Sequence, residues 1–463
     1  MGLPCPRQDE RLAEIEEFRA MAHRQIDKWV DELARRVQRG EAPSLRQITE
    51  DFRRGRQDMA RWWLKGAVRL FHPELAEQEW ATCPCCARPV RRKRLDAKGI
   101  STLEGRFTLE RPYFYCRRCR HGFHPLDEAL ELTARFHHVD VAEKLLELAA
   151  RMPYEEAVEV FESLTGFRVG EDFAHEILNE VGAVATLEEV TPTAEEMAER
   201  IDALTQEGEE APILVVAGDG AHLPTRPKAG RRHKRGPGRY REAKGFRLYL
   251  VGRQDRIVHL ASWHQIQDAE AFRTDLALVA ERVPQERVRI ALLADGAEWL
   301  WEAMTECFPQ GRPILDYYHV AEHVYAVGRA LYGEGVRARE WGEALLSTIY
   351  LGKIPTALAR LRRARARTPE AREAVRKLVR YLWKHRKKLR YEASRGEGYP
   401  IGSGGIESAH KFIAHIRMKR SGAWWVEGYG NHMLRIRCAL YNGTLGRVFR
   451  NYHKQRILRV DRP

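Results

Sequence analysis

The sequence predicts an α+β multidomain protein. A mixed α/β core, with a basic helical stretch after it, follows a helical region and a cysteine-paired ribbon. Three observations carry that prediction. Two Cys-x-x-Cys pairs, Cys83/Cys86 and Cys116/Cys119, bracket short alternating stretches such as RFTLERPYFYC. Continuous apolar runs, ILVVAG at 213–218 and IALLA at 290–294, mark buried strands separated by helical patterns. Between Lys353 and Arg390 a helical stretch holds 15 Lys/Arg against two Glu. That surplus of 13 accounts for nearly all of the net charge of +14 over 463 residues, so the positive charge is localised and points to a polyanion. A solvated basic face is the competing reading.

The N-terminal elements follow from periodicity. Ile15, Phe18, Ala22, Ile26, Trp29 and Leu33 recur at steps of three and four, which predicts an amphipathic helix over 9–40. It serves either as an intramolecular packing arm or as a dimerising helix; the heptad pattern is too short to choose. Eight cysteines are too few for a disulfide framework in such a chain, and two C-x-x-C pairs read as zinc ligands. Four thiolates from Cys83, Cys86, Cys116 and Cys119 would close a structural zinc site with no position left open for chemistry. Cys85, His121 and His124 compete for that ligand count. Residues 140–183 read as three short helices, the second with Tyr154, Val158 and Phe161 on one face and the third with Phe173, Ile177 and Val181. They form either a DNA-reading helix-turn-helix or a purely structural unit, because Glu171, Asp172, Glu176 and Glu180 make the third helix a poor face for phosphates.

An acidic stretch at 187–210, with nine Asp/Glu and one Arg, reads as a linker or a solvated helix between domains. Beyond it, PILVVAGD, KGFRLYLV and RIVHLASW predict three strands in a meander. A helix through AEAFRTDLALVAER, the strand VRIALLADG, a helix with Trp299 and Trp301, and the strand RPILDYYH complete a mixed sheet. Residues 226–247 hold ten Lys/Arg against one Glu and read as a long basic loop for DNA backbone contact, with a merely solvated loop as the competitor. The resulting division is 1–80 helical, 81–126 zinc ribbon, 127–186 helical, 187–211 linker, 212–319 core, 320–398 basic and helical, 399–440 with the glycine-led helix, and 441–463 basic tail.

Two aspartates occupy equivalent places. Asp219 follows ILVVAG and Asp295 follows IALLA, each beside a glycine. A carboxylate at the end of a buried strand is costly to desolvate unless a cation or a set of N–H donors compensates it. The third piece is GSGGIESAHKFIAHIRMKRSGAWW at 402–425, in which Ser403 is placed to cap a helix carrying Glu407 in its first turn and Lys411 one turn on. If that helix packs beside the two strands, three carboxylates converge, and oxygen donors of this kind suit Mg²⁺.

These residues carry a family resemblance. AGDGA at 217–221, LADGAEWLW at 293–301, ILDYYHVAEHVYAVGRALYGE at 314–334 and the 402–425 motif are similar to the DDE transposases of bacterial insertion sequences, nearest the ISKra family. The paired cysteines running into HPLDEALEL at 124–132 fit the same pattern, and the resemblance covers about 80 to 440. It implies an RNase H-like core, interrupted by 320–398 as a basic helical insertion and resumed at 399–440, in which Asp219, Asp295 and Glu407 bind two Mg²⁺ or Mn²⁺ ions. It implies an auxiliary catalytic role for His319, which with Asp316 forms a D-x-x-H element; a core-facing histidine is the plain alternative. Arg231, Arg232, Lys234, Arg235, Lys411, Arg417 and Lys419 would contact DNA. The implied activity is cleavage at terminal inverted repeats and strand transfer into target duplex, by a homodimer or larger synaptic complex. A zinc-containing DNA-binding protein without catalysis, or a nuclease that cleaves without joining, are the alternatives.

No apolar run approaches the roughly 20 residues of a membrane span, and the opening MGLPCPRQDERLAEIEEF lacks the apolar core of a signal peptide. The expected setting is the bacterial cytoplasm, with the nucleoid.

Overall fold

The computed structural model describes residues 8–205, 210–227, 236–252 and 256–460. They fall into two compact units, one comprising the chain up to Ile177 with the segment from Phe449, the other Leu178–Val448. Among the described residues no helix is long and apolar enough to cross a membrane.

The first unit opens with a helical hairpin, α1 (Gln8–Gln38) and α2 (Leu45–Phe71), followed by the single turn α3 (Pro73–Ala76). Ser44 starts α2 with a capping box: its hydroxyl accepts the Gln47 N–H while the Gln47 side chain accepts the Ser44 N–H. The row expected on α1 divides. Phe18 packs on Trp62 and Trp63 of α2 and Trp29 on Phe52, whereas Ile15, Ile26 and Leu33 are exposed. Strands β1 (Trp80–Thr82), β2 (Pro89–Thr102), β3 (Gly105–Cys116) and β4 (His121–Phe123) form an antiparallel sheet in sequence order. After α4 (Pro125–Ala129) come α5 (Val139–Arg151), α6 (Tyr154–Thr165) and α7 (Glu171–Val184), the three helices that periodicity predicts. Gly166 ends α6 in the left-handed region at φ 81°.

The second unit begins with a correction. The acidic stretch is not a linker: α8 (Leu187–Val190) and α9 (Ala194–Asp202) are each started by a capping box, Thr186 with Glu189 and Thr193 with Glu196. Val190, Met197 and Ile201 are buried, and Arg447 holds the pair by donating to the Glu196 carboxylate and to the Glu189 and Thr191 carbonyls. Strands β5 (Ile213–Thr225), β6 (Arg239–Val251) and β7 (Ile257–Ile266), helix α10 (Ala269–Ala280), β8 (Arg289–Ala294), α11 (Glu298–Cys307) and β9 (Arg312–Leu315) follow. They make one sheet in the order β7-β6-β5-β8-β9, antiparallel among β5, β6 and β7 and parallel from β5 through β8 to β9. The basic stretch 226–247 is therefore not all loop, because β6 starts at Arg239 and pairs in register back to Thr225. Leu214, Val216, Phe246, Leu248, Leu292 and Leu293 are fully buried, so the sheet is the core of this unit.

Past β9 the chain is helical: α12 (Tyr317–Tyr332), α13 (Val336–Tyr350), α14 (Ile354–Arg362), α15 (Pro369–His385) and α16 (Tyr391–Gly396). It returns through α17 (Gly404–His410), a π-helical turn over Lys411–His415, α18 (Ile416–Met418), α19 (Glu427–Asn442) and α20 (Leu445–Val460). Helix α19 packs on β7, where buried Asn442 is saturated by hydrogen bonds with Ser262 N–H, Ser262 O, Val190 O and His259.

Candidate active site

Strands β5 and β8 pair in parallel with Ala217 opposite Leu293, so Asp219 and Asp295 each stand two residues past the last aligned pair. Neighbouring strands lie about 4.8 Å apart, so the two residues sit at one height, Asp295 just past the end of β8 and Asp219 within β5, which runs on to Thr225 paired with β6. Each is partly satisfied by its own turn: Asp219 Oδ1 accepts the Gly220 N–H at 2.7 Å and Asp295 Oδ1 accepts the Ala297 N–H at 3.1 Å.

Helix α17 packs on β5 and β6 and brings Glu407 to the same place. Asp219 and Glu407 line an open cleft of about 790 Å³ with His222, His410, Lys411, His415 and Lys419. Close approach, not flexibility, explains the GSGG motif. A side chain on Gly402 would meet the Tyr318 ring at 2.5 Å, and one on Gly405 the Tyr249 ring at 2.4 Å. Buried Arg247 donates to the Gly405 carbonyl at 2.6 Å and so fixes the start of the helix.

The electrostatics are those of an uncompensated acidic cluster. Burial pushes the Asp219 carboxyl up to about 6, and Asp295, Glu407 and Glu242 add to that rise against the Gly220 N–H. The imidazole nearest to it does not help. His410 Nδ1 lies 3.6 Å from Asp219 Oδ2, but burial draws His410 down to about 3, so the ring is neutral. Asp219 and Glu407 line the cleft, and Asp295, though not among its lining residues, is near enough to add to the rise of Asp219; hard oxygen donors of this kind suit a divalent cation.

The other predicted residues distribute unevenly. Lys411 and Lys419 line the cleft. Arg417 does not: it is buried, its guanidinium 5.3 Å from the centroid of the Trp425 ring. A cation on this short helix segment was expected to face phosphate, but the face it occupies is turned into the core. His319 is not among the residues lining the cleft; its Nε2 lies 3.2 Å from Nε2 of His323, one turn along α12. Arg231, Arg232, Lys234 and Arg235 lie outside the described residues.

Other residues buttress this arrangement. Asp316 caps α12 and accepts a 2.6 Å hydrogen bond from the Ser403 hydroxyl, and Tyr381 donates to the Asp295 carbonyl at 2.8 Å. The only available signal for Asp316 was its place in the D-x-x-H element; nothing local marks Tyr381, Arg247 or His410.

In the first unit the sulfurs of Cys83, Cys86, Cys116 and Cys119 all lie within 4.8 Å of one another, and this cluster can bind a metal such as zinc. Each Cys-x-x-Cys turn is followed by a residue in the left-handed region, Ala87 at φ 56° and Arg120 at φ 58°, so the two turns are matched. The Cys119 backbone N–H, followed by other donors, draws the Cys116 thiol down to about 6 despite burial, which favours the thiolate that a metal needs. Of the competitors, Cys85 is exposed and His124 bonds Asp96 at 3.2 Å.

No curated protein matches this chain. The sequence model of one family, an uncharacterised protein family (UPF0236), matches residues 87–455. That match takes in Cys116 and Cys119, though not Cys83 and Cys86, and the whole carboxylate-bearing unit, and the chain belongs to this uncharacterised family, UPF0236.

Proposed function

We propose that the protein is a DDE-type transposase of an insertion sequence, binding double-stranded DNA and performing metal-dependent strand cleavage and joining. The observation that carries the reading is that Asp219 and Glu407 share one cleft while Asp295, just past the strand paired in parallel with β5, is near enough to raise the Asp219 carboxyl. The sheet order, three antiparallel strands extended by two parallel ones, is what an RNase H-like core requires and supports the same reading.

Asp219, Asp295 and Glu407 would hold two Mg²⁺ or Mn²⁺ ions. Such ions activate an attacking oxygen and stabilise the leaving oxygen of a phosphodiester. The chain's own part is placement. Lys411 and Lys419 offer positive charge on the cleft wall for phosphate oxygens, and the basic helices α14 and α15 extend that field. In the first step water adds to phosphorus and the P–O3′ bond breaks, leaving a 3′-hydroxyl and a 5′-phosphate. In the second step that hydroxyl attacks a target phosphodiester, one P–O bond replacing another with no external energy source. Zinc in the four-cysteine site would serve folding. His319, paired with His323, would act as an auxiliary group beside the first helix of the insertion.

The test is nicking of DNA that carries the flanks of the protein's own gene, with Mg²⁺ or Mn²⁺, comparing wild type with Asp295→Ala. Metal-dependent nicks lost in the variant are the expected result. Joining of a pre-cut 3′-hydroxyl end to a plasmid separates a transposase from a nuclease. Equal DNA binding without cleavage by either protein would make it a non-catalytic DNA-binding protein.

A further inference from the structure

The hydroxyl of Ser403 stands between two carboxylates, 2.6 Å from Asp316 Oδ2 and 2.9 Å from Glu407 Oε1. A serine at the start of a helix ordinarily accepts an N–H from the first turn. Ser403 makes no such side-chain bond; the Ile406 and Glu407 N–H groups reach its carbonyl instead. The hydroxyl has been diverted from capping to the carboxylates.

Its other partner is rigid. Ser403 and Asp316 are both buried. Asp316 Oδ1 accepts the N–H groups of Tyr318 at 3.0 Å and Ser403 at 3.3 Å. The Asp316 N–H donates at 3.0 Å to the carbonyl of Ala294, the residue before Asp295. Asp316 thus ties three things together: the strand end that bears Asp295, the first turn of α12, and the residue that touches Glu407. A hydroxyl has one proton and can serve one carboxylate at a time, and Asp316 keeps two backbone donors whichever way that proton turns. Turning the proton to Glu407 leaves Asp316 held through Oδ1 and takes the hydroxyl from Oδ2 alone.

We propose that Ser403, anchored by Asp316, is a positioning residue that orients the Glu407 carboxylate and thereby sets the affinity of the cleft for a divalent cation. The inference rests on the cation reading of Asp219, Asp295 and Glu407. A plain helix cap would change stability and leave cation affinity alone. A hydrogen-bond partner of a ligating carboxylate changes affinity, typically by about 10- to 100-fold.

The experiment is a Mn²⁺ titration of the full-length protein, followed by electron paramagnetic resonance of the free ion, on wild type, Ser403→Ala, Ser403→Thr and Asp219→Asn. Melting temperatures are taken without metal. We expect Ser403→Ala to weaken Mn²⁺ about tenfold, Ser403→Thr to stay within about threefold of wild type, and the metal-free melting temperatures of these three to agree within a few degrees. Equal affinity in wild type and Ser403→Ala, with binding still lost in Asp219→Asn, overturns the positioning role and leaves the cation reading standing. Loss in both Ser403→Ala and Ser403→Thr also overturns it, since the hydroxyl would then not be the operative group. No Mn²⁺ bound by wild type overturns both.

Discussion

Asp219 shows how one carboxylate can lower the stability of the fold that holds it. A carboxyl whose folded pKa is raised contributes stability that is present below its ordinary value near 3.8 and is lost as pH rises through about 6. At pH 7.5 without metal it is a burden, so Asp219→Asn is expected to raise stability. Asp219 is half-buried at the edge of an open cleft, and solvent screening holds the expected gain to about 1 kcal/mol, a rise of about 2 °C in melting temperature. The same substitution should abolish any stabilisation of the protein by added Mn²⁺, which thermal scans with and without the ion will read directly. At this scale the sequence marks Asp219, Glu407, Lys411 and Lys419, which share the cleft, and misplaces Arg417. Asp219, Asp295 and Glu407 announce themselves through apolar runs and a glycine-rich helix start. Whether Arg417 faces phosphate or the Trp425 ring depends on how a three-residue helix segment after a π turn is rotated, and no local pattern encodes that rotation.

Among elements, the strands and most helices followed from hydrophobic period, because a buried central strand has no choice of residue and an amphipathic helix little. The acidic segment at 187–210 was misread for a physical reason: its net charge was counted while its two Thr-x-x-Glu capping boxes and the spacing of Val190, Met197 and Ile201 were overlooked. Arginines supplied from distant sequence neutralise it, and this is testable. Arg447→Ala removes donors to two carbonyls and one carboxylate and is expected to destabilise the unit by about 2 kcal/mol, seen as a lower urea midpoint at unchanged slope. The cysteine ribbon makes a second prediction. The purified protein should carry about one zinc per chain by elemental analysis, Cys116→Ser should lose it together with several kcal/mol of stability, and Cys85→Ser should keep it.

For the whole molecule, buried histidines set the acid limit. Burial draws His259 and His385 down to about 4, so each stays neutral when folded and takes up a proton when unfolded. A depressed folded pKa means stability that is present above the unfolded value near 6.5 and is lost as pH falls toward 4. At about 1.4 kcal/mol per pKa unit, His259 alone withdraws about 3 kcal/mol over that window. Asp219 acts in the opposite direction between pH 4 and 6, but its screened contribution is smaller, so the histidines win. Melting temperature should therefore fall steadily from pH 7 to pH 4, and His259→Asn should flatten the slope.

The two feet of the helical insertion meet. Tyr317, at the start of α12, donates its N–H to the carbonyl of Ile401 at 2.9 Å, just before the helix that bears Glu407. Everything between them leaves and re-enters the sheet through one doorway. Loop-closure entropy grows only as the logarithm of chain length, so lengthening or shortening such a module is thermodynamically mild. The spacing of Asp295 and Glu407 is thereby insulated from the size of what hangs between them. A lineage can remodel these helices, or an engineer exchange them, while the placement of the two carboxylates is inherited unchanged.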